Sequence, residues 1–229
     1  MPIEDTLQTW LGPLSGDLPR LYLVGGAVRD HLLGRAPRDI DLMCTEPEKF
    51  ARRLGGRHGA AVVAFTGKTE APCYRVVSRS EKGSFIDVVG VLGGSVEADL
   101  ARRDFTFNAM AMRVVSAGEL SVPIDPFGGV ADLNARRVRA TGPGVFEADP
   151  LRIVRAARFA AELGCVVEPI TLGLMQSAAP GLTKTAGERL QRELELLFSH
   201  PISAPHVRML DAVGALETIL PPIRTMRGC

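Results

Sequence analysis

Membrane-length apolar runs, CxxC cysteine pairs and a pronounced net charge are all missing from this sequence, and no secretory signal is indicated. No window approaches the ~18 consecutive apolar residues of a membrane span. The opening MPIEDTLQTW has neither a basic nor an apolar leader region, so a cytoplasmic location is the expectation. The four cysteines, Cys44, Cys73, Cys165 and Cys229, are far apart and form no CxxC pair, which argues against a zinc site or a disulfide framework. Histidine is scarce, and His31, His58, His200 and His206 show no metal or catalytic spacing. With a formal net charge of +1, the chain as a whole exerts no attraction on nucleic acid.

What the sequence does hold is a 46% hydrophobic composition over 229 residues, ample for one large core or two modest ones. Its basic side chains are overwhelmingly arginine, and they cluster at Arg102 and Arg103, at Arg136, Arg137 and Arg139, and at Arg152, Arg155 and Arg158. A guanidinium pairs with phosphate through a planar fork and stacks on bases, so local patches can serve a polyanion that the net charge would not attract.

Along the chain the texture changes once. Short valine-rich runs alternate with helical segments up to Ile124: strands are expected at Leu21 to Val24, Asp39 to Cys44, Ala60 to Thr66, Tyr74 to Ser78, Phe85 to Val91, Phe107 to Val115 and Leu120 to Ile124. From Asp149 onward the periodicity is helical, with no strand candidate. Gly142, Pro143 and Gly144 mark the expected boundary, giving an α/β part over 1–142 and an all-α part over 143–229.

The strongest local signal is LYLVGGAVRDHLLGRAPRDIDL, Leu21 to Leu42. Gly25 and Gly26 stand where a buried strand meets a helix, and glycine there lets backbone amides approach a phosphate. Arg29, just inside that helix, is placed to grip the same group. Asp39 and Asp41 flank Ile40 on an expected strand, where alternation puts both carboxylates on one face and Ile40 in the core. Two carboxylates at one spot repel unless a cation joins them, and Mg2+ is the hard ion that prefers oxygen ligands and substrate phosphates. Taken singly, a glycine pair is also a plain turn, and a DxD alone is weak. Asp87, in FIDVV, is read either as a third carboxylate or as a solvent-facing strand residue.

Two further segments carry charge in a pattern. EADLARRDFTFNAMAM, Glu97 to Met112, sets Arg102, Arg103 and Asp104 in a row, so they cannot share one face, and one arginine is expected to pair with Asp104. Asn108 in the same segment suits a ribose hydroxyl or a turn cap. In ADPLRIVRAARFAAELG, Ala148 to Gly164, Asp149, Arg152, Arg155 and Arg158 recur every three residues and form a drifting stripe on a helix. An isolated stripe of this kind also reads as a solvated face. Glu188 and Arg192, in GERLQRELELL, have the spacing of a helix ion pair.

Together the Gly-rich turn with RDxLLG and DxD, the RRDFTxNA segment and the DPLRxxRxxRF helix resemble, in this order and over essentially the whole chain, the bacterial tRNA CCA-adding and poly(A) polymerase family. That resemblance implies a polymerase β-like head, a mixed sheet with helices, followed by an all-α neck. It implies template-independent transfer of CMP, and of AMP, from CTP or ATP to a tRNA 3′ end, with Mg2+ on Asp39 and Asp41 and with Asp87 in the catalytic set. Gly25, Gly26, Arg29 and Arg103 are implied to bind the triphosphate or sugar. Asp149 and Arg152 would read the Watson-Crick edge of the base, and Arg155 and Arg158 would contact phosphate or support that pair. Members adding all of CCA carry a longer segment where this chain has only Gly90 to Asp99, which implies CC addition, with a separate enzyme supplying the final A. Poly(A) polymerase and an inactive RNA- or nucleotide-binding module are the alternatives. Members generally continue into helical body and tail domains, so the chain is expected to be a short form or a fragment.

Overall fold

A computed structural model of the chain describes residues 2–65, 71–79 and 83–226, so Thr66 and Cys229 lie outside the described residues. The chain divides into two compact units, Met1–Arg102 with Phe107–Gly129, and Arg103–Thr106 with Val130–Cys229. The division therefore runs at Gly129 and Val130, ahead of the Gly142 to Gly144 turn, and Arg103–Thr106 belongs to the second unit.

The first unit contains α1 (Ile3–Leu11), β1 (Tyr22–Val24), α2 (Gly26–Leu32), β2 (Asp41–Cys44), α3 (Pro47–His58), β3 (Ala61–Phe65), β4 (Cys73–Val77), β5 (Phe85–Gly90), α4 (Val96–Leu100), β6 (Ala111–Ser116) and β7 (Glu119–Ile124). Its sheet has the order β3-β4-β5-β2-β1-β6-β7 and is mixed, since β2 and β5 run parallel while the other neighbours are antiparallel. Because side chains alternate, the registers sort the residues onto two faces. Leu23, Leu42, Val88, Val76 and Val62 share the face on which α3 packs against β3, β4 and β5. The approach is tight: a Cβ on Gly55 of α3 would stand 2.6 Å from Val62 Cγ2, so only glycine fits.

On the opposite face, Tyr22, Val24, Met43 and Ala111 form an apolar cluster with Leu100 of α4 and Ala109. The same face, toward β4 and β5, carries Asp41, Asp87 and Arg75 instead. Outermost on it, Val63 of β3 is 48% exposed. The sheet is thus apolar on one side and, on the other, apolar under α4 but charged beyond it.

The second unit holds α5 (Gly129–Asn134), β8 (Arg137–Val138), α6 (Val145–Ala148), α7 (Arg152–Leu163), β9 (Val166–Val167), α8 (Pro169–Ala178), α9 (Gly187–Phe198), α10 (Ala204–Ala212) and α11 (Ala215–Ile219). It is helical apart from the parallel pairing of β8 with β9, a short strand that helical periodicity past Asp149 did not anticipate. Helix α7 is its axis. Ile153, Val154, Ala156, Ala157, Ala160 and Ala161 are buried, and α9 and α10 pack against it. Phe105 meets Phe146 and Phe159 at centroid distances of 6.4 and 5.8 Å. The Arg103–Thr106 segment is stitched in by backbone bonds, Thr106 N–H to the Arg139 carbonyl and Thr141 N–H to the Asp104 carbonyl.

Candidate functional site

Strand β1 ends at Val24, and the chain turns at Gly25 with φ 70 and ψ −132, a conformation that suits glycine, before α2 begins at Gly26. The Gly25 N–H donates to the Met110 carbonyl at 3.1 Å, so this amide is engaged within the unit. Arg29 is held from both sides. Its Nε and Nη2 reach Asp30 Oδ1 at 2.9 and 2.8 Å, its Nη1 donates to Asn108 Oδ1 at 2.8 Å, and its side chain is 12% exposed. Asn108 is buried in a 3-10 turn, so it ties this arginine to the segment before β6.

Asp39 differs from expectation in its setting. It lies in a bend, exposed, while β2 begins only at Asp41, which is half-buried; Ile40 between them is in the core at 7% exposure. Asp41 and Asp87 are register partners on the parallel strands β2 and β5. Asp87 is buried, not solvent-facing, and both its carboxylate oxygens accept from Arg75 of β4, from Nε at 2.8 Å and Nη2 at 2.7 Å. Arg75 itself lies over the Phe85 ring, 3.8 Å from its centroid, and near Phe65 at 5.4 Å. The carboxylate field is felt nearby: burial, then Asp87 and Asp41, push the Cys73 thiol up to about 11.

Sequence reasoning did not single out Arg75. Its signal was a lone arginine in the valine-rich run CYRVV.

Among the described residues no group of three or more His, Cys, Asp or Glu side chains is arranged to hold a metal ion. Asp87, the nearest further carboxylate in register with Asp41, accepts from Arg75 through both oxygens. What the first unit offers a cation is the hard oxygen pair Asp39 and Asp41. That set suits an ion completing its shell with phosphate oxygens and water, and does not suit an all-protein cage.

The arginine stripe of the second unit is no solvated face. Arg155 donates to Asp104 Oδ2 from Nε and Nη2 at 3.0 and 2.7 Å and to Glu193 Oε1 from Nη1 at 3.0 Å. Arg158, 8% exposed, donates to Glu193 Oε2 from Nε at 2.6 Å and to Glu162 Oε2 from Nη1 at 2.9 Å, and stacks 4.0 Å from the Phe159 centroid. Burial lowers the Arg155 pKa, but Asp104 and Glu193 more than offset this, and the net direction is upward. Both arginines therefore bind α7 to α9, and Arg155 also binds it to the Arg103–Thr106 segment. Arg103 lends its carbonyl to the Thr141 hydroxyl at 2.5 Å.

Asp149 and Arg152 lie one turn apart at the start of α7, joined by the Arg152 N–H to Asp149 carbonyl bond at 3.0 Å. Arg152 Nη1 also donates to the Val145 carbonyl at 3.2 Å. Asp149 Oδ1 accepts from the Leu151 N–H at 3.3 Å and Oδ2 from Arg189 Nη2 of α9 at 2.7 Å. The expected Glu188 to Arg192 pair is not formed; both side chains stay exposed, and α9 uses Arg189 and Glu193 instead.

Among the described residues no helix is long and apolar enough to cross a membrane. Comparison with known proteins agrees with the order of these features. The family described as "Poly A polymerase head domain" matches residues 21–139, and the one described as "Probable RNA and SrmB- binding site of polymerase A" matches residues 166–226. The chain is 41% identical over 203 residues to a CC-adding tRNA nucleotidyltransferase of Geobacter sulfurreducens, covering 86% of this chain and 45% of the relative. It is 37% identical over 221 residues to an A-adding tRNA nucleotidyltransferase of Deinococcus radiodurans, covering 94% and 48%. A solved structure of the Thermotoga maritima CCA-adding enzyme complexed with tRNA matches with a TM-score of 0.81 at 28% identity, over 96% of this chain and 52% of that one. The chain thus spans about half the length of the curated relatives it matches. With the mixed sheet, the paired aspartates and the helical second unit all in the matched order, the chain belongs to the poly(A) polymerase head-domain family, whose members among these relatives are tRNA nucleotidyltransferases.

Proposed function

We propose that this chain transfers CMP from CTP to the 3′ end of a tRNA, building CC, and leaves the terminal A to a separate enzyme. One observation carries the proposal: exposed Asp39 and half-buried Asp41 precede and open β2, beside Asp87 in register on β5, in the strand that follows the glycine turn and helix α2 after β1. In the reaction the tRNA 3′-hydroxyl oxygen forms a bond to the α-phosphorus of CTP, the bond to the bridging oxygen breaks, pyrophosphate departs and the hydroxyl proton is lost. Divalent cations on Asp39 and Asp41, with Mg2+ the fitting ion, would supply charge neutralisation at the attacking and departing oxygens.

Residues of the first unit orient the nucleotide in this reading. The Gly25 turn and Gly26 allow close approach of the triphosphate, and Arg29, held by Asp30 and Asn108, adds a positive charge of fixed position. Arg103, of the second unit, contributes a second guanidinium to the triphosphate or sugar. Asp87 neutralises Arg75 and stands beside Asp41, so its part is to shape the carboxylate site, and the lone pairs that Arg75 leaves on its two oxygens would allow it a share in holding the cation. Asp149 accepts from the exocyclic amine of the base and Arg152 donates to its ring edge, in place of a template. Arg155 and Arg158 support these two by fixing α7.

The CC assignment rests on the stretch between β5 and α4. Only 91–95 lie between them, with Gly93 and Gly94 at φ 70 and 80. The turn is closed by local bonds, Ala98 N–H to Ser95 Oγ at 3.1 Å and Leu92 N–H to Asp99 Oδ1 at 3.2 Å. This short segment is the feature that the family resemblance associates with CC addition. The test is to incubate the protein with tRNA lacking its 3′ terminus and with CTP, ATP or both, then sequence the product. An end of CC from CTP, unchanged by ATP, supports the proposal. An end of CCA contradicts its CC part, and a run of A from ATP alone favours poly(A) synthesis.

A further inference from the structure

The geometry points to Arg189 as a positioning residue for nucleobase discrimination, acting through Asp149; this rests on the reading of Asp149 as the acceptor for the base. A carboxylate that selects a base by accepting from its exocyclic amine must present one oxygen at a fixed place, because a carboxylate free to rotate accepts equally from other donors. Nothing within α7 fixes Asp149 tightly: its one local bond, from the Leu151 N–H to Oδ1, is 3.3 Å long. The strong contact comes from elsewhere in the same unit. Arg189 Nη2 holds Oδ2 at 2.7 Å, a charge-assisted bond across 40 residues of chain. With about four acceptor sites on a carboxylate, both bonds leave lone pairs for a nucleobase amine.

Helix α9, which carries Arg189, has a second contact with α7 through another of its residues. Glu193, one turn further along α9 and on the same face, accepts from Arg155 and Arg158 at 3.0 and 2.6 Å. The two rungs have opposite polarity, a cation of α9 against the acid that precedes α7, then an acid of α9 against two cations within α7. A slip of one turn would bring Arg189 toward Arg155, so the charges themselves oppose any other register. Glu193 is buried and locks the helix pair, while Arg189 is 56% exposed and adds little to the core. An exposed arginine that, among the described residues, is bonded to the base-reading acid is spent on orientation. The consequence is specific: it should favour bases with an exocyclic amine, cytosine and adenine, over uracil.

Calorimetric titration of the chain with CTP and with UTP, in magnesium-containing buffer, tests this without requiring turnover. We expect wild type to bind CTP more tightly than UTP and Arg189→Ala to lower that affinity ratio about tenfold, chiefly by weakening CTP. Arg189→Lys should keep part of the ratio, since it restores the charge without the fork. Asp149→Asn should lower the ratio as well, and adding Arg189→Ala to it should lower it no further, because the second residue acts through the first. An unchanged ratio in Arg189→Ala, or an equal loss for both nucleotides, overturns the inference and leaves the role of Asp149 standing. A wild-type chain that binds CTP and UTP alike overturns both.

Discussion

Replacing Glu193 with alanine removes the acid at the centre of the second unit's ionic cluster. Glu193 is 8% exposed and holds Arg155 at 3.0 Å and Arg158 at 2.6 Å, each through a different oxygen. Losing one partner of a buried ion pair costs about 3–5 kcal/mol when the other charge is stranded. Here neither is stranded entirely: Arg155 retains Asp104 at 2.7 Å and Arg158 retains Glu162 at 2.9 Å. Arg155 is also 30% exposed on its side chain, which lets water take up part of the loss. The expected cost is therefore about 2–3 kcal/mol, below the stranded-charge range. For a unit of this size that corresponds to a melting temperature lower by about 10 °C or somewhat more. A thermal melt followed by far-ultraviolet circular dichroism reads it, with Glu188→Ala as the control. Glu188 lies on the same helix but is exposed and outside the cluster, so its removal should cost at most about 0.5 kcal/mol. If Glu193→Ala melts within about 2 °C of wild type, or if the two variants fall together, the cluster does not hold α7 to α9.

Gly25→Ala places a side chain at φ 70 and ψ −132, and the strain should lower stability by about 1–3 kcal/mol, seen as a reduced urea midpoint. His206 supplies a pH dependence. Burial, and secondarily His200, hold its pKa below the ordinary histidine value. The unfolded chain then binds the proton more readily, so this contribution to stability is present above about pH 6.5 and is lost as pH falls below it. Melting temperatures at pH 5.5 and 7.5 should differ less in His206→Gln than in wild type, and an equal difference would remove His206 from the explanation.

Much of the first unit was legible because its strands are apolar runs closed by glycine or proline, as at Gly25 and Gly90. The error at Asp39 has a definite cause. The β1 to β2 ladder pairs Leu23 with Leu42, so it sets Val24 beside Asp41, and β1 then turns away at Gly25. On the β1 side no strand remains for Asp39 to pair with, although β5 continues on the other side to Phe85. Phe107 to Val115 is apolar apart from Asn108 and Arg113, and as such a run it fits one strand. Its first part is instead a 3-10 turn, whose Thr106 and Asn108 are spent on Asp132 and Arg29, and β6 starts at Ala111.

The candidate site residues stand out by local pattern, and their bonding partners do not. Arg75 meets Asp87 only because β4 pairs with β5 in one register, and Arg189 meets Asp149 only because α9 lies along α7. Such contacts join residues far apart in the chain, beyond any spacing rule. The one pair that a spacing rule did supply, Glu188 with Arg192, is not formed. An exposed helix pair of this kind is worth only a few tenths of a kcal/mol, too little to dictate two side-chain conformations.

The most direct test of the central claim is nucleotide incorporation from CTP into tRNA lacking its 3′ terminus, compared between wild type and the Asp39→Ala, Asp41→Ala double variant in magnesium. The account predicts product from wild type and a loss of about a thousandfold or more in the double variant, whose fold should persist because Asp39 is exposed and Asp41 only half-buried. Incorporation by the double variant at close to the wild-type rate, or none by wild type, would contradict it.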